Sequence, residues 1–206
     1  DTLFEQGKLP PMPVFVDSPL AIAITQVYGE FSKYFNQGAR EILRDNRGIF
    51  QFPWLTFTRT PQDSKRINTV QGPKIIIAGS GMSQGGRIVH HEARYLSDPA
   101  STILFVGYQV QGSLGRRIRD EEPEVTVVGR RVPVRCRVVS IGAYSAHADQ
   151  NGLVEYVRQA NQGGTLKKCF VVQGERDGAE ALAMRIHSDL GVEAVVPEMG
   201  QSFELI

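Results

Sequence analysis

The chain has 206 residues, of which 41% are hydrophobic and 22% are charged, and its formal net charge at pH 7 is +1. These proportions are typical of a soluble globular protein with one large or two small domains. A net charge so close to zero excludes a strong global field for nucleic acid, so binding of a polyanion must depend on local patches. No apolar run approaches the ~18 residues of a membrane span. Cys136 and Cys169 lie in apolar runs that favour buried thiols in a reducing compartment. We therefore expect a cytoplasmic protein with no membrane contact.

The first predicted strand covers residues 14–16, and a helix is expected from about residue 20 to residue 35. Asp17 or Ser18 can cap that helix, with Pro19 in its first turn. Asp17 has a second candidate role, because open α/β sheets bind ligands at the carboxyl ends of their strands. One carboxylate can fill both roles.

The next predicted elements are a polar helix at 36–47, a strand at 54–57 and a helix from 60 to about 70. The run Lys-Ile-Ile-Ile-Ala at 74–78 is short, continuous and apolar. This pattern predicts a central parallel strand that is covered on both faces.

A glycine-rich turn, Gly-Ser-Gly-Met-Ser-Gln-Gly-Gly at 79–86, joins this strand to a predicted helix at 87–96. A strand, a glycine-rich turn and a helix start together form an anion site, because free backbone N–H groups and the positive helix end face the turn. The alternative is a tight turn that needs a positive φ. We favour phosphate contact. The candidate residues are Ser80, Gly81, Met82, Ser83, Gly85, Gly86 and Arg87.

His90 and His91 lie in the helix that follows. Adjacent residues are about 100° apart around a helix, so the pair cannot form a two-histidine metal face. We expect surface or interface positions, from which one of them could reach a bound phosphate. His91 is therefore added to the phosphate-binding candidates.

A strand at 102–106 and a second small-residue turn at 112–117 complete a β-α-β-α-β-α order, which predicts a parallel sheet with helices on both faces. Antiparallel strands are then predicted at 125–128 and 132–139, joined at Gly129-Arg130. Seven arginines fall between residues 116 and 137. They form either a solvated face or a basic rim that contacts a polyanion.

A histidine-bearing loop is predicted within residues 138–150, Val-Val-Ser-Ile-Gly-Ala-Tyr-Ser-Ala-His-Ala-Asp-Gln. The pattern predicts a strand at 138–141, then a small-residue loop that carries His147, then a helix at 150–159. Small neighbours leave room for a ligand, and imidazole is suited to proton transfer near neutral pH. The alternative is a capping loop in which Asp149 caps the helix and His147 is incidental. Further on, a strand at 168–173, a helix at 177–190 capped by Gly191 and a strand at 194–196 are predicted.

Several of these segments together resemble the β-CASP branch of metallo-β-lactamase-fold nucleases, which process RNA. They are PVFVDSPLA from residue 13, AGSGM from residue 78 with GGR and HH after it, FVGYQ from residue 105, SAHAD from residue 145 and GQSFEL from residue 200. The resemblance covers essentially the whole chain in order. It implies an α/β fold, with a parallel-sheet β-CASP domain at 1–120 and the C-terminal strands and helices of a metallo-β-lactamase domain at 121–206.

The resemblance implies roles for particular residues. Asp17 matches the acid of motif A, and His147 matches the histidine of motif B, which in the family partners that acid and is proposed as a general acid. A carboxylate that holds an imidazole raises its pKa and orients it for proton delivery. The turn at 79–86 looks like the segment that lines the RNA channel, and Ser145 joins the candidate phosphate-binding residues. The implied substrate is single-stranded RNA.

Two departures from the family pattern concern zinc, of which the family binds two ions. The histidine of motif C is replaced by Gln173, a poor zinc ligand beside imidazole. The His-x-His-x-Asp-His cluster, which holds most of the ligands, is not in this sequence. We expect the chain to be part of a longer protein whose N-terminal metallo-β-lactamase half supplies that cluster, and to be inactive alone.

Three functions stay open from the sequence. The favoured one is a zinc-dependent ribonuclease in the parent protein. The second is an RNA-binding or scaffold homologue weakened at Gln173. The third is a generic α/β domain that binds a mononucleotide at residues 79–86. A homodimer is also left open.

Overall fold

A computed structural model describes residues 2–44, 50, 52–145 and 147–204. The chain divides into two units, Asp1–Ile141 and Gly142–Ile206. The helices and strands of the first unit are α1 (Thr2–Glu5), β1 (Val14–Asp17), α2 (Pro19–Glu30), α3 (Gln37–Arg44), β2 (Leu55–Phe57), α4 (Pro61–Arg66), β3 (Ile75–Ala78), α5 (Ile88–Tyr95), β4 (Thr102–Phe105), α6 (Leu114–Arg119), β5 (Glu124–Val127), β6 (Arg130–Pro133) and β7 (Arg137–Ser140). Single 3₁₀ turns follow α2 at Ser32–Tyr34 and α4 at Ile67–Thr69. Residues 45–47 of the predicted polar helix lie outside the described residues.

Parallel pairing organises the first unit. One three-stranded sheet has the order β2-β1-β3, with both neighbours parallel to β1. A second parallel pair joins β4 to β7. The predicted α/β class with parallel sheets is confirmed. Asp17, the last residue of β1, is in register with Ala78, the last residue of β3, so the segments that follow these two strands leave the same edge of the sheet.

The prediction that residues 74–78 form a covered central strand is wrong. β1 holds the centre of the sheet, and β3 lies beside it at the end of the strand order. Ile75 and Ile77 alternate with less exposed neighbours and are 39% and 51% exposed. A run of β-branched residues satisfies a central or an outer strand equally well, so hydrophobicity alone could not separate them.

The predicted strand at 132–139 is two strands. β6 pairs antiparallel with β5, and their turn consists of Val128 and Gly129, with φ values of 49° and 72°. The chain then bends, and the N–H groups of Arg135 and Cys136 both donate to the carbonyl of Leu96. β7 starts after this bend and pairs with β4 instead.

The core of the first unit lies between these elements and includes Cys136, whose pKa is raised by burial. Its buried members are Leu96, Phe105, Ile118, Val125, Val127, Val132 and Cys136. The prediction of a buried thiol is therefore confirmed for Cys136, whereas Cys169 is only partly buried. Both cysteines are free.

The second unit contains α7 (Gln150–Ala160), β8 (Lys168–Phe170), α8 (Arg176–Leu190) and β9 (Glu193–Val195). β8 and β9 are parallel, as a strand–helix–strand connection requires. Its core consists of Val154, Val157, Val171, Ala179, Ala183, Ile186 and Val192. The predicted C-cap at Gly191 is confirmed by its φ of 66°. Within the described residues, no helix combines the length and apolar content needed to cross a membrane.

Candidate functional site

The carboxylate of Asp17 is fully buried at the carboxyl end of β1 and accepts four side-chain hydrogen bonds. Thr58 Oγ1 lies 2.5 Å and Arg87 Nη1 lies 2.7 Å from Oδ1. Ser64 Oγ and His91 Nε2 each lie 2.7 Å from Oδ2. Each carboxylate oxygen therefore has one hydroxyl partner and one nitrogen partner, and the charge is satisfied without water.

The pKa of Asp17 shows which effect dominates in this network. Burial raises it, but the hydrogen bonds from Thr58, Ser64, His91 and Arg87 together outweigh burial and lower it from 3.8 to about 2. The side chain is therefore a stable anion at neutral pH. It is not the helix cap, because Ser18 Oγ accepts the cap hydrogen bond from the Ala21 N–H at 3.3 Å.

His91 is buried and Arg87 is half-buried, and both side chains turn toward Asp17. His91 is 7% exposed, and its ring stacks on Tyr95 at a centroid distance of 6.3 Å. The expectation of a surface position is wrong for His91 and holds for His90, which is exposed. Arg87 also donates to the carbonyls of Thr58 at 2.7 Å and Arg59 at 3.1 Å. The Asp17 carboxylate and the backbone carbonyls offer hydrogen-bond acceptors, which explains why these two side chains turn inward.

The glycine-rich turn at 79–86, here called the glycine loop, connects β3 to α5. It closes with a hydrogen bond from the Ser83 N–H to the carbonyl of Ser80 at 3.1 Å. Gly86 has a φ of 69°, and a Cβ there would lie 2.6 Å from the carbonyl oxygen of Gly79. The turn therefore requires glycine at this position, as the alternative reading of the sequence predicted.

Three hydrogen bonds to other parts of the first unit hold the middle of the glycine loop. Gln109 Nε2 donates to the carbonyl of Gly81 at 2.8 Å, and the Gly115 N–H donates to the carbonyl of Met82 at 3.1 Å. The hydroxyl of Ser83, which is itself buried, donates to Glu92. These contacts leave Gly81 and Gly86 exposed and Ser80, Met82 and Gly85 half-buried.

Three of the predicted phosphate-binding side chains therefore have partners inside the protein: Ser83, Arg87 and His91. Their contact with phosphate stays a prediction. The sequence did not indicate the internal partners Thr58, Ser64, Glu92 and Gln109. Gln109 stands in a motif of the resemblance, whereas nothing in the pattern of the other three marks them as buried.

Glu92 is a buried acid on α5. Burial raises its pKa, and the hydrogen bond from Ser83 acts in the opposite direction but more weakly. Its Oε2 atom has no hydrogen-bond partner among the described residues. A buried carboxyl group with one unsatisfied oxygen favours the protonated form.

His147 lies in the loop between β7 and α7 and is exposed. Its backbone N–H donates to Ser145 Oγ at 3.2 Å. Asp149 caps α7 by accepting from the Gly152 N–H at 2.8 Å, so the predicted cap is confirmed. Ala146 lies outside the described residues. The pairing of His147 with Asp17 stays a prediction, and the contacts given above for Asp17 all come from its own unit.

Gln173 follows β8 and is exposed, with a left-handed φ of 63°. Among the described residues, no group of three or more His, Cys, Asp or Glu side chains could hold a metal ion. An amide is a weak ligand for zinc. The described residues therefore do not fit a zinc centre by themselves, and no metal-dependent step is assigned to them.

The arginine-rich segment divides into paired and unpaired side chains. The ion pairs are Arg116–Asp120, Arg119–Asp120, Arg117–Glu122 and Arg131–Glu124. Arg130, Arg135 and Arg137 are exposed and form no ion pair with a described residue. The unpaired three are the part of the segment that can attract a polyanion.

Comparison with known proteins assigns the family. The model of the Beta-Casp domain matches residues 1–118, and the model of the Zn-dependent metallo-hydrolase RNA specificity domain matches residues 131–197. The predicted domain boundary at residue 120 stays a prediction.

Curated relatives cover the same part of the sequence. Ribonuclease TTHA0252 of Thermus thermophilus is 36% identical over 76% of this chain and 36% of its own length. An RNase J-like protein of Methanocaldococcus jannaschii is 32% identical over 94% of this chain and 43% of its own length. Transcription termination factor FttA of Methanosarcina mazei is 28% identical over 91% of this chain and 30% of its own length. The chain thus spans less than half the length of these relatives. It belongs to the β-CASP family of metallo-β-lactamase-fold ribonucleases.

Proposed function

We propose that this chain is the RNA-contacting part of a zinc-dependent ribonuclease that hydrolyses phosphodiester bonds in single-stranded RNA. The observation that carries the proposal is the order of the two family matches, a Beta-Casp domain followed by an RNA specificity domain. The names of two relatives, a ribonuclease and an RNase J-like protein, support the same activity. The metal ligands come mainly from residues outside this chain, in an N-terminal metallo-β-lactamase half.

The glycine loop supplies the phosphate contact in the first unit. Its exposed positions Gly81 and Gly86 have no side chain to hold a phosphate away from the backbone. The loop ends at the start of α5, where the positive end of the helix dipole favours an anion. Ser80 and the backbone at Met82 and Gly85 extend this surface.

His147 supplies proton transfer in the second unit. An exposed imidazole on a loop of small residues can approach a leaving oxygen, and histidine is the side chain most often used for this purpose. Ser145 fixes the backbone of that loop through its hydrogen bond to the His147 N–H and is the candidate phosphate-binding residue of this loop.

The test is RNA cleavage by the full-length protein. His147→Ala should lower the cleavage rate by about 10²-fold or more, the range for a lost general acid. His187→Ala removes an exposed histidine from α8 and should leave the rate unchanged. Full activity of His147→Ala would remove this residue from the mechanism.

A second function is an RNA-binding homologue with weakened catalysis. The observation that favours it is Gln173, an amide at the position where the family has a zinc-ligating histidine. Metal analysis of the full-length protein separates the two functions. Two zinc ions with metal-dependent cleavage support the ribonuclease. One zinc ion or none, with salt-sensitive RNA binding, supports the binding protein.

A further inference from the structure

We propose that Asp17 is a positioning residue that fixes the C-terminal end of the glycine loop through Arg87 and His91. This inference rests on the proposed function, because it concerns how the loop is held for RNA. Asp17 itself is fully buried, and its two carboxylate oxygens are bound by Thr58, Ser64, Arg87 and His91. Its effect passes through the side chains of Arg87, which directly precedes α5, and of His91 within α5.

The geometry of α5 supports this role. Arg87 and His91 are four residues apart, so they lie on the same face of the helix start. Arg87 binds Oδ1 and His91 binds Oδ2, each at 2.7 Å. Two attachments one turn apart fix both the rotation and the height of α5 against β1. Gly86, the last residue of the glycine loop, is bonded directly to Arg87.

The other side of the network is anchored to the sheet. Thr58 follows β2 and Ser64 lies in α4, and both donate to the carboxylate. Arg87 reaches across to the carbonyls of Thr58 and Arg59. The carboxylate therefore connects the ends of β1 and β2 with the start of α5. Its loss would leave the half-buried Arg87 guanidinium without its counter-ion, which costs more than the loss of a fully exposed pair.

The middle of the loop has separate supports. Gly81 and Met82 are held through Gln109 and Gly115, and Ser83 is held through Glu92. The supports of Gly81 and Met82 involve neither Asp17 nor α5, whereas Glu92 lies on α5 beside His91. Removal of the Asp17 charge should therefore loosen residues 85–91 and leave residues 81–82 in place, which is a more local effect than general destabilisation.

The experiment measures amide hydrogen exchange and RNA affinity in the full-length protein. Asp17→Asn keeps the shape of the side chain but removes its charge and turns an NH₂ group toward a donor. Exchange in residues 85–91 should accelerate about tenfold or more, as expected for loss of a charge-assisted bond. The β5–β6 hairpin at 124–133 should be unchanged. Affinity for a fluorescein-labelled single-stranded RNA should fall by about the same factor.

Asp98→Asn is the matched control, because Asp98 is an exposed carboxylate just after α5 that accepts from Ala100 and Ser101. It should change neither readout. If Asp17→Asn does not fold, His91→Leu removes one attachment, and His91→Gln should restore it by offering an Nε2 donor.

Each outcome decides the proposal. Local acceleration at 85–91, reversed in His91→Gln relative to His91→Leu, supports it. Unchanged exchange, or equal acceleration in the hairpin, overturns it. If the wild-type protein binds no RNA, the proposed function fails, while the exchange pattern still decides whether Asp17 positions the loop.

Discussion

His91 Nε2 lies 2.7 Å from Asp17 Oδ2, and both side chains are buried. The family resemblance assigned Asp17 a different histidine, His147, as its partner. The observed contact connects the centre of the sheet to α5 and gives His91 a structural partner. His91, which directly follows another histidine in the helix, therefore has a specific internal partner that its sequence context did not reveal.

The Asp17 network predicts a loss of stability in acid. The pKa of Asp17 is lowered from 3.8 to about 2 in the folded protein. A lowered pKa means that the stabilisation is present above pH 3.8 and is lost as the pH falls toward about 2. The shift corresponds to about 2 kcal/mol. Urea unfolding of wild type and Asp17→Asn should show a stability difference at neutral pH that shrinks by about this amount across that interval. A difference independent of pH would contradict the assignment.

The glycine loop predicts different effects at two adjacent glycines. Gly86 has a φ of 69°, and a Cβ there would lie 2.6 Å from a backbone oxygen, whereas a Cβ at Gly85 meets nothing within 4 Å. Gly86→Ala should lower the free energy of unfolding by about 2 kcal/mol or more, because backbone must move. Gly85→Ala is the control and should change it by less than about 1 kcal/mol. Thermal or urea unfolding checks both. Equal effects would mean that the loop adapts freely.

Local signals explain what the sequence could predict. The cap at Asp149, the left-handed Gly191 and the order of strands and helices all depend on residues close together in the chain. The position of β3 in the sheet and the division of the 132–139 segment depend on partners distant in sequence. The bend before β7 is fixed by the carbonyl of Leu96, which no local pattern contains.

In the candidate site, too, the sequence predicted the features that depend on local residues and not those that depend on partners distant in the chain. Glycine content located the loop at 79–86, where the positive φ and the close backbone approach at Gly86 require that residue type. The burial of Glu92 was not predictable, since an acidic residue in a helix is usually exposed. Its role emerges only from its contact with Ser83.

Glu92 predicts a pH dependence opposite to that of Asp17. Its pKa is raised above 4.5 in the folded protein, mainly by burial. A raised pKa means that the folded state loses stability as the pH rises through the folded pKa, because a buried acid must then ionise. Glu92→Gln cannot ionise, so its stability relative to wild type should increase as the pH rises above 4.5. Glu30→Gln, at an exposed acid, should show no such trend in urea unfolding. A flat difference for Glu92→Gln would show that Glu92 is not protonated in the fold.

The unpaired arginines predict the salt dependence of RNA binding. Arg130, Arg135 and Arg137 are exposed and have no acidic partner among the described residues, so their charges are available to phosphate. If each contacts one phosphate, replacing all three with glutamine should reduce the slope of log K against log salt by about 2, since each contact on a single strand contributes about 0.7. The control replaces three ion-paired arginines of α7 and α8, which are Arg158, Arg176 and Arg185. Both triple variants lose the same charge, so a slope reduced only in the first locates the contact at the arginine-rich segment. Equal slopes in the two variants would make that segment an ordinary solvated face.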